Sequence, residues 1–300
     1  MAAQIIDGEA TAGKIQEQLK AEIANLKAKG KEPHLLALMV GDNPATRIYS
    51  KSQQKSCEEL GIKYTLEQLP DDTTGQGLEK RIAELNADAS VNGILLQMPL
   101  PEGVDARELQ AMIAPSKDVE GMNPANMGMV VYGRPRLAPC TAMAAVELIK
   151  ATGVELEGKE VTVVGHSEIV GKPVSLLLLD QFCTTTVCHI ATKDLAYHTK
   201  NAEILVVAVG KAGLIKGDMI RPGAIVIDVG INRVTLKDEN GKPVLTSKGK
   251  PKKVTVGDVI FDEAKEVASH ITPVPGGVGP VTVAILLRNT VEATKMQLEG

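Results

Sequence analysis

Aromatic residues are scarce in this 300-residue chain, which has four tyrosines, two phenylalanines and no tryptophan. Proteins that bind single-stranded nucleic acid stack the bases on aromatic rings beside a positively charged groove. The net charge is −4, and the basic residues are scattered except in TSKGKPKK, residues 246–253. We interpret that run as a solvated hairpin tip and predict that the protein has no nucleic-acid partner.

Long apolar runs and paired cysteines are also missing. No run approaches the roughly 18 apolar residues that a membrane-spanning helix needs, and the first residues, MAAQIIDGEA, lack the features of a signal peptide. Cys57, Cys140, Cys183 and Cys188 form no CxxC pair, which argues against a zinc site or a disulfide framework. We therefore expect a cytoplasmic protein with reduced cysteines, no metal site and no membrane contact.

The chain does contain strand-length apolar runs that alternate with helix-length segments, a pattern typical of α/β layering with a parallel sheet. In the first part, LLALMV (35–40) and GILLQM (93–98) are predicted to be buried strands. Helices are predicted from Thr46 to Leu60 and from Gly75 to Asn86. These elements indicate a first α/β domain.

The alternation restarts after Pro139 with a helix through MAAVELIKATG. Four runs rich in Val and Ile follow at intervals of roughly twenty residues, which is typical of a doubly wound, Rossmann-type sheet. These predicted strands are EVTVVG (160–165), TTTVCH (184–189), EILVVAVG (203–210) and AIVIDVG (224–230).

Two further segments complete the predicted domain organisation. Residues 234–259 are predicted to be a polar hairpin excursion, and residues 279–298 an amphipathic helix that returns to the first domain. We therefore predict a two-domain α/β fold. Its first, catalytic domain comprises residues 1–139 plus 281–300, and its dinucleotide-binding domain comprises residues 140–280.

A glycine motif, VVGHSEIVG, joins the first strand of the second sheet to a helix and contains Gly165, Ser167 and Gly171. Glycine lets the backbone approach a pyrophosphate, and the free N–H groups of a helix N-terminus bind its negative charge. The spacing is GxSxxxG rather than GxGxxG, so a tight turn without a ligand stays an alternative for this motif alone. The βα units that follow it favour a dinucleotide site.

A second loop, ITPVPGGVGPVTVAILL (271–287), has three prolines and three glycines within eight residues. Proline fixes the backbone and glycine permits close approach to a ligand, so this composition favours a binding loop. A rigid connection between domains is the alternative.

Several motifs, spread over nearly the whole chain and in a fixed order, are together highly specific. They are VGDNPATRIY (40–49), GILLQMPLP (93–101), PSKDVEGMNPANMG (115–128), PCTA (139–142), VVGHSEIVGKP (163–173), VGDV (256–259) and the terminal glycine-proline loop. With them the chain resembles the methylenetetrahydrofolate dehydrogenase/cyclohydrolase family of one-carbon metabolism. The resemblance implies a homodimer with a folate site in the cleft between the two domains and an NAD(P) cofactor. Family members oxidise 5,10-methylenetetrahydrofolate to the methenyl form, and most then hydrolyse it to 10-formyltetrahydrofolate.

The resemblance also implies roles for individual positions at the folate. Tyr49 would stack along the ring system, Gln97 would sit beside the reacting centre, and Glu120 falls where the family has an aspartate that holds the pterin. Seen alone, the three could be an ordinary helix residue, a strand-end cap and a surface carboxylate. The loop residues implied to line the same cleft are Pro275, Gly276 and Gly277.

The cofactor positions implied by the resemblance are Gly165, His166, Ser167, Gly171, Ile190, Gly210, Ile231 and Thr282. Bifunctional members typically carry arginine and serine in place of His166 and Ile190, and those two groups hold the 2′-phosphate of NADP. A neutral imidazole cannot form the fork of a guanidinium, and isoleucine offers no hydrogen bond. We therefore predict that NAD is preferred to NADP. No acidic residue follows the strand TTTVCHI to hold the ribose hydroxyls, so the preference would come from rejecting NADP.

The family's lysine, four residues after the tyrosine, is replaced here by Gln53 in RIYSKSQQK (47–55). Residues four apart share a helix face, so Gln53 is predicted to lie beside Tyr49. A lysine amine can take a proton from water in the hydrolytic step, whereas a glutamine amide has no proton equilibrium in that range. Hydride transfer needs no base. The predicted catalytic set is completed by Gln97 and Glu120, and we predict a dehydrogenase with cyclohydrolase activity absent or strongly reduced.

Three other functions stay open at this point. A fully bifunctional dehydrogenase/cyclohydrolase would need another group in place of the lysine. A non-catalytic folate-binding protein would not need an intact cofactor site. A two-domain dehydrogenase for another small substrate would share the fold but not the folate motifs.

Overall fold

The computed structural model describes residues 2–236, 238 and 241–299. The chain divides into a six-stranded unit, Met1–Thr11 and Thr141–Val281, and a three-stranded unit, Ala12–Cys140 and Thr282–Gly300. These borders lie one residue from the predicted ones at 139/140 and 280/281, so Cys140 and Val281 are grouped differently, as are residues 1–11. Among the described helices, none has both the length and the apolar character needed to span a membrane.

The first half of the chain alternates strands and helices, as its hydrophobic pattern predicted. Its elements are β1 (Gln4–Ile5), α1 (Gly8–Ala28), β2 (His34–Val40), α2 (Pro44–Leu60), β3 (Lys63–Leu69), α3 (Gly75–Ala87), β4 (Gly93–Leu96), α4 (Ala106–Met112) and α5 (Pro124–Val131). Strands β3, β2 and β4 form a parallel sheet in that order. Every residue of the central strand β2 is buried, which explains its unbroken apolar sequence.

Strand β3 was not predicted. Its sequence, KYTLEQL, has only exposed and half-buried side chains because β3 lies at the edge of the sheet and pairs only with β2 within the described residues. An edge strand lacks the continuous apolar run that marks a central strand of a parallel sheet. Helix α2 confirms the predicted helix and begins two residues earlier, at Pro44.

The second half continues the alternation with α6 (Cys140–Ala151), β5 (Glu160–Val164), α7 (Gly171–Leu179), β6 (Thr184–Cys188), α8 (Leu195–Asn201), β7 (Ile204–Val207), β8 (Ile225–Asp228), β9 (Asn232–Thr235), β10 (Lys253–Val256), α9 (Phe261–Ala264), β11 (His270–Ile271) and α10 (Val278–Glu299). The large sheet has the order β1-β11-β8-β7-β5-β6, and all its strand pairs are parallel. The predicted doubly wound sheet is confirmed.

The order of this sheet determines where a ligand can bind. Strands β7 and β8 are buried throughout, while β6 and β1 lie at the two edges. Strand β1 has two residues and pairs with β11 through Gln4 and His270, which explains why the first residues belong to this unit. In a sheet of this kind, ligands bind at the carboxyl ends of the strands, where the order reverses.

The predicted polar hairpin and C-terminal helix are confirmed. Strands β9 and β10 pair antiparallel, and the turn near the tip is closed by the Gly249 N–H, which donates to the Thr246 carbonyl at 2.9 Å. Residues 237, 239 and 240 of the predicted hairpin lie outside the described residues. Helix α10 is held in the three-stranded unit by Asn289, whose Nδ2 donates to the Val119 carbonyl at 2.8 Å.

Candidate functional site

Helix α2 presents Tyr49 and Gln53 on one face, as the four-residue spacing predicted. Their environments differ, because the tyrosine is 54% exposed and the glutamine 8%. Lys51 and Lys55 are exposed on another side of the helix, and Lys55 approaches the Glu59 carboxylate at 3.7 Å. Neither lysine can therefore take the position of Gln53.

The side chain of Gln53 joins three elements of the three-stranded unit. Its Oε1 accepts a hydrogen bond from Gln97 Nε2 at 2.7 Å, directly after β4. The same atom accepts a second hydrogen bond from the Tyr64 hydroxyl on β3 at 3.2 Å. Gln97 is itself fixed, since its backbone N–H donates to the Leu38 carbonyl of β2 at 2.8 Å. The structure thus brings two of the predicted catalytic residues into direct contact, and adds a tyrosine that the sequence did not single out.

Glu120 lies in the same unit and is half-buried rather than a surface carboxylate. Burial raises its pKa to about 8, with a further contribution from the Asp118 carboxylate, against a hydrogen bond with the backbone of Leu96. That contact places Glu120 beside the last residue of β4, one position before Gln97. Near neutral pH the group therefore holds a proton in the unliganded protein.

The loop around Glu120 is built by its neighbours. Asp118 is buried, and its Oδ2 accepts hydrogen bonds from the Asn123 N–H at 2.7 Å and from Asn126 Nδ2 at 2.9 Å. Lys117 is also buried, and its Nζ donates to the carbonyls of Leu85 and Asp88 at the end of α3. These bonds fix the backbone on both sides of Glu120 without occupying its carboxylate.

In the six-stranded unit, the glycines after β5 are required by close packing. A Cβ on Gly165 would collide with the Ala208 carbonyl, and a Cβ on Gly171 would collide with the Gly165 carbonyl. Ser167 closes the turn, because its Oγ accepts a hydrogen bond from the Val170 N–H at 3.2 Å. The loop and the start of α7 form the strand-to-helix turn that the motif predicted.

The side chains at the ends of β5 and β6 are open to solvent. Ile190 is fully exposed, and His166 and His189 are exposed with ring centroids 5.2 Å apart. Within the described residues no arginine or lysine side chain is seen bonded to either imidazole. The rim of this sheet edge therefore offers two imidazoles and one aliphatic side chain.

Asp258, in the motif VGDV, was not predicted to have a role of its own. It is fully buried, and its Oδ2 accepts hydrogen bonds from the N–H groups of Val209 and Gly210, at 2.7 and 2.9 Å, directly after β7. Its Oδ1 accepts from Asn232 Nδ2 at 2.8 Å. The Asp258 carboxylate thus fixes Gly210, which is a predicted cofactor position. It also fixes Asn232, the residue that follows the predicted cofactor position Ile231.

A second buried carboxylate supports the first. Asp228, at the end of β8, accepts hydrogen bonds from the N–H groups of Gly230, Asp258 and Val259 at 2.9, 3.0 and 2.9 Å. Burial raises the pKa of Asp228 to about 6 despite these bonds. A Cβ on Gly257 would collide with the Asp228 carboxylate, so glycine is required there. This packing explains the glycine and the aspartate of the motif VGDV (256–259).

The predicted loop residues Pro275, Gly276 and Gly277 lie between β11 and α10. Gly276 has a positive φ of 101°, and its carbonyl accepts a hydrogen bond from the Gly8 N–H at 3.2 Å. A Cβ on Gly8 would collide with the Gly277 carbonyl, so the start of α1 packs directly on this loop. Thr282, in the first turn of α10, is half-buried, and Ile231 is exposed. The described residues contain no group of three metal-ligating side chains.

Two family models match this chain. The tetrahydrofolate dehydrogenase/cyclohydrolase catalytic domain matches residues 6–120, and the NAD(P)-binding domain of the same family matches residues 139–298. The chain belongs to this family. The first match includes Tyr49, Gln53, Gln97 and Glu120, and the second includes all the predicted cofactor positions.

Individual relatives agree with the family models over the full length. The chain is 46% identical to a bifunctional protein FolD from Janthinobacterium, with 99% of each chain covered. It is 43% identical to the bifunctional FolD structure from Campylobacter jejuni, with a TM-score of 0.89 and 99% and 100% of the two chains covered. It is 37% identical to the Trypanosoma brucei enzyme solved with NADP and an inhibitor, with a TM-score of 0.90 and both chains fully covered. The chain is therefore an oxidoreductase of tetrahydrofolate one-carbon metabolism and has an NAD(P)-binding domain.

Proposed function

We propose that this protein oxidises 5,10-methylenetetrahydrofolate to the methenyl form with NAD, and that its cyclohydrolase activity is lost or strongly reduced. The observation that carries the proposal is the buried Gln53, whose Oε1 accepts hydrogen bonds from Gln97 and Tyr64. An amide in this position can orient a substrate but cannot take a proton from water.

Hydride transfer is a positioning reaction for which these residues suffice. The lone pair of a folate nitrogen expels hydride from the methylene carbon to the nicotinamide, and no base is needed. The protein has to hold donor and acceptor carbons about 3 to 3.5 Å apart. In our proposal the exposed ring of Tyr49 stacks on the folate, Gln97 contacts the reacting centre, and Glu120 binds the pterin.

Hydrolysis of the methenyl product is different because a water molecule must lose a proton as it attacks. General-base assistance commonly contributes about 10² to 10⁴ in rate. Gln53 offers none, and burial raises the pKa of Tyr64 to about 12, so the phenol stays protonated at neutral pH. We expect the hydrolytic step to be slower by the same order of magnitude.

The six-stranded unit has the features of a dinucleotide site. Gly165 and Gly171 leave no room for a Cβ, and the loop between them ends at the N-terminus of α7, whose positive dipole end favours a pyrophosphate. The nicotinamide dinucleotide would supply the hydride acceptor. We propose NAD because the exposed His166 and Ile190 offer a 2′-phosphate neither a guanidinium fork nor a hydroxyl.

The remaining properties rest on the resemblance and the relatives. We propose a cytoplasmic homodimer with the folate lined by Pro275, Gly276 and Gly277. A fully bifunctional enzyme is the second candidate, because relatives 45 to 47% identical are bifunctional FolD proteins.

The dehydrogenase activity is tested by following the absorbance of reduced nicotinamide in the presence of 5,10-methylenetetrahydrofolate and NAD. Folate-dependent reduction supports the proposal. Binding of folate without any reduction of NAD or NADP would show a non-catalytic folate-binding protein. A lack of both binding and turnover would indicate another small substrate.

A further inference from the structure

Tyr64 is the one member of the Gln53 cluster that neither the sequence motifs nor the family roles account for. It lies on the edge strand β3, in register with Leu35 of β2, and its half-buried ring reaches toward helix α2. A buried or half-buried phenol must find an acceptor for its proton, because an unpaired polar group costs about 1 to 3 kcal/mol. The hydroxyl of Tyr64 donates to Gln53 Oε1 at 3.2 Å.

This contact decides which way the Gln53 amide is turned. A carbonyl oxygen has two lone pairs, and both are used here, by Gln97 Nε2 at 2.7 Å and by the Tyr64 hydroxyl. With the amide turned by 180°, the Gln53 NH₂ group would face the Gln97 NH₂ group, and the phenol proton would lose Gln53 as its acceptor. The observed orientation satisfies both donors.

The same orientation leaves the other half of the amide available. The structure shows no hydrogen bond from Gln53 Nε2 to another described residue, and the side chain stays 8% exposed. Gln97 donates through its Nε2, so its carbonyl oxygen is the complementary free group. The pair therefore presents one N–H donor and one carbonyl acceptor side by side.

We propose that Tyr64 is a positioning residue for hydride transfer, which holds the Gln53 amide with its oxygen inward and its NH₂ group directed to the folate. The proposal rests on the proposed place of Gln53 in the folate site. Tyr64 does not touch the substrate in this account and acts only through Gln53.

A double-mutant cycle tests this role. Tyr64→Phe removes one hydrogen bond and keeps the ring, so kcat for NAD reduction should fall roughly 3- to 10-fold, the range that one hydrogen bond contributes. The KM for NAD should not change. In a Gln53→Met background, Tyr64→Phe should have no further effect on kcat, because the amide that it orients is gone.

Tyr132→Phe is the matched control. Tyr132 follows α5 in the same unit and is 82% exposed, and the hydrogen bonds of Gln53 do not include it. Removal of its hydroxyl should leave kcat unchanged in both backgrounds. A loss of kcat from Tyr64→Phe that persists undiminished in the Gln53→Met background, or no loss in the native background, would overturn the proposal. Neither result depends on whether the enzyme hydrolyses the methenyl product, which is measured separately.

Discussion

The six-stranded unit fixes its loops with buried carboxylates that bind backbone N–H groups, whereas the three-stranded unit forms its cluster from side chains alone. Asp258 and Asp228 together accept five backbone hydrogen bonds, from Val209, Gly210, Gly230, Asp258 and Val259. Gln53, Gln97 and Tyr64 bond to one another through amide and phenol groups. Because a loop fixed through backbone atoms keeps its shape when exposed side chains change, we expect substitutions at its rim to alter cofactor choice. In a site made of side chains, we expect a single substitution to change the chemistry.

The largest effect that we expect concerns the rim of the six-stranded unit. NADP should be a poorer cofactor than NAD by roughly 10- to 1,000-fold in kcat/KM, because one or two charge-assisted contacts to the 2′-phosphate are missing. Two progress curves with the same folate substrate measure the ratio. The double variant His166→Arg, Ile190→Ser should raise kcat/KM with NADP. An equal or better kcat/KM with NADP in the native protein would contradict the proposed preference.

The next effect concerns Glu120 in the three-stranded unit. Pterin N–H groups favour the charged carboxylate, and a hydrogen bond to a charged acceptor contributes about 1.5 to 3 kcal/mol. Glu120→Gln should therefore raise the KM for folate about 10- to 100-fold and leave the KM for NAD unchanged. The exposed Glu102 supplies the matched control, Glu102→Gln, with no expected effect on either KM.

The pH dependence of Glu120 sharpens the same test. Because burial raises its pKa to about 8, folate binding must expel a proton below that pH, so the native KM for folate should rise as pH falls from about 8. Folding stability should change with pH in the opposite direction to folate binding. The folded protein keeps a proton that the unfolded chain releases, so stability falls as pH rises from about 4.5 to 8. In Glu120→Gln, the KM for folate and the folding stability should both depend less on pH. A pH-independent KM in the native protein would show that Glu120 does not bind the pterin.

A smaller effect is expected at Asp258. Asp258→Asn would turn an NH₂ group or a neutral oxygen toward the Val209 and Gly210 N–H donors, which loosens the loop after β7. We expect the KM for NAD to rise about 10-fold, since at least one charge-assisted bond is weakened. The KM for folate should not change. The exposed control Asp218→Asn should change neither KM. Equal increases in both KM values would indicate a general loss of folding.

An effect of similar size concerns recovery of the second activity. In Gln53→Lys the Tyr64 hydroxyl would donate to the lone pair that a neutral amine needs to accept a proton from water. The double variant Gln53→Lys, Tyr64→Phe should therefore hydrolyse methenyltetrahydrofolate roughly 10-fold faster than Gln53→Lys, the upper range for one hydrogen bond. Gln53→Lys, Tyr132→Phe should match the single variant, because Tyr132 is exposed. Equal rates in all three proteins would remove Tyr64 from the explanation.

The sequence predicted those parts of the fold in which burial is continuous along the chain. Strands β2, β7 and β8 are buried at every residue and were evident as apolar runs, and helix α2 followed from its spacing. The edge strand β3 and the two-residue β1 were missed because they bury few side chains. Their positions depend on pairing with distant strands, which a local pattern does not contain.

The sequence predicted that Tyr49 and Gln53 share one face of a helix, but it did not predict the partners of the side chains. The chemical role of Gln53 stays a prediction. Tyr64 comes to Gln53 only through the packing of β3 against α2, and nothing in KYTLEQL indicates that contact. Glu120 was open to interpretation as a surface carboxylate, and its raised pKa depends on burial that the sequence does not show. Asp258 stood in a quoted motif, yet the three hydrogen-bonding partners of its carboxylate are known only from the fold.

The most direct test of the central claim follows the decay of methenyltetrahydrofolate at its own absorbance, with and without the enzyme, at concentrations that sustain dehydrogenase turnover. If Gln53 has removed the general base, the decay rate is the same in both solutions, and methenyltetrahydrofolate accumulates while NAD is reduced. Enzyme-dependent hydrolysis at a rate comparable with the rate of NAD reduction would contradict the account and show a fully bifunctional enzyme.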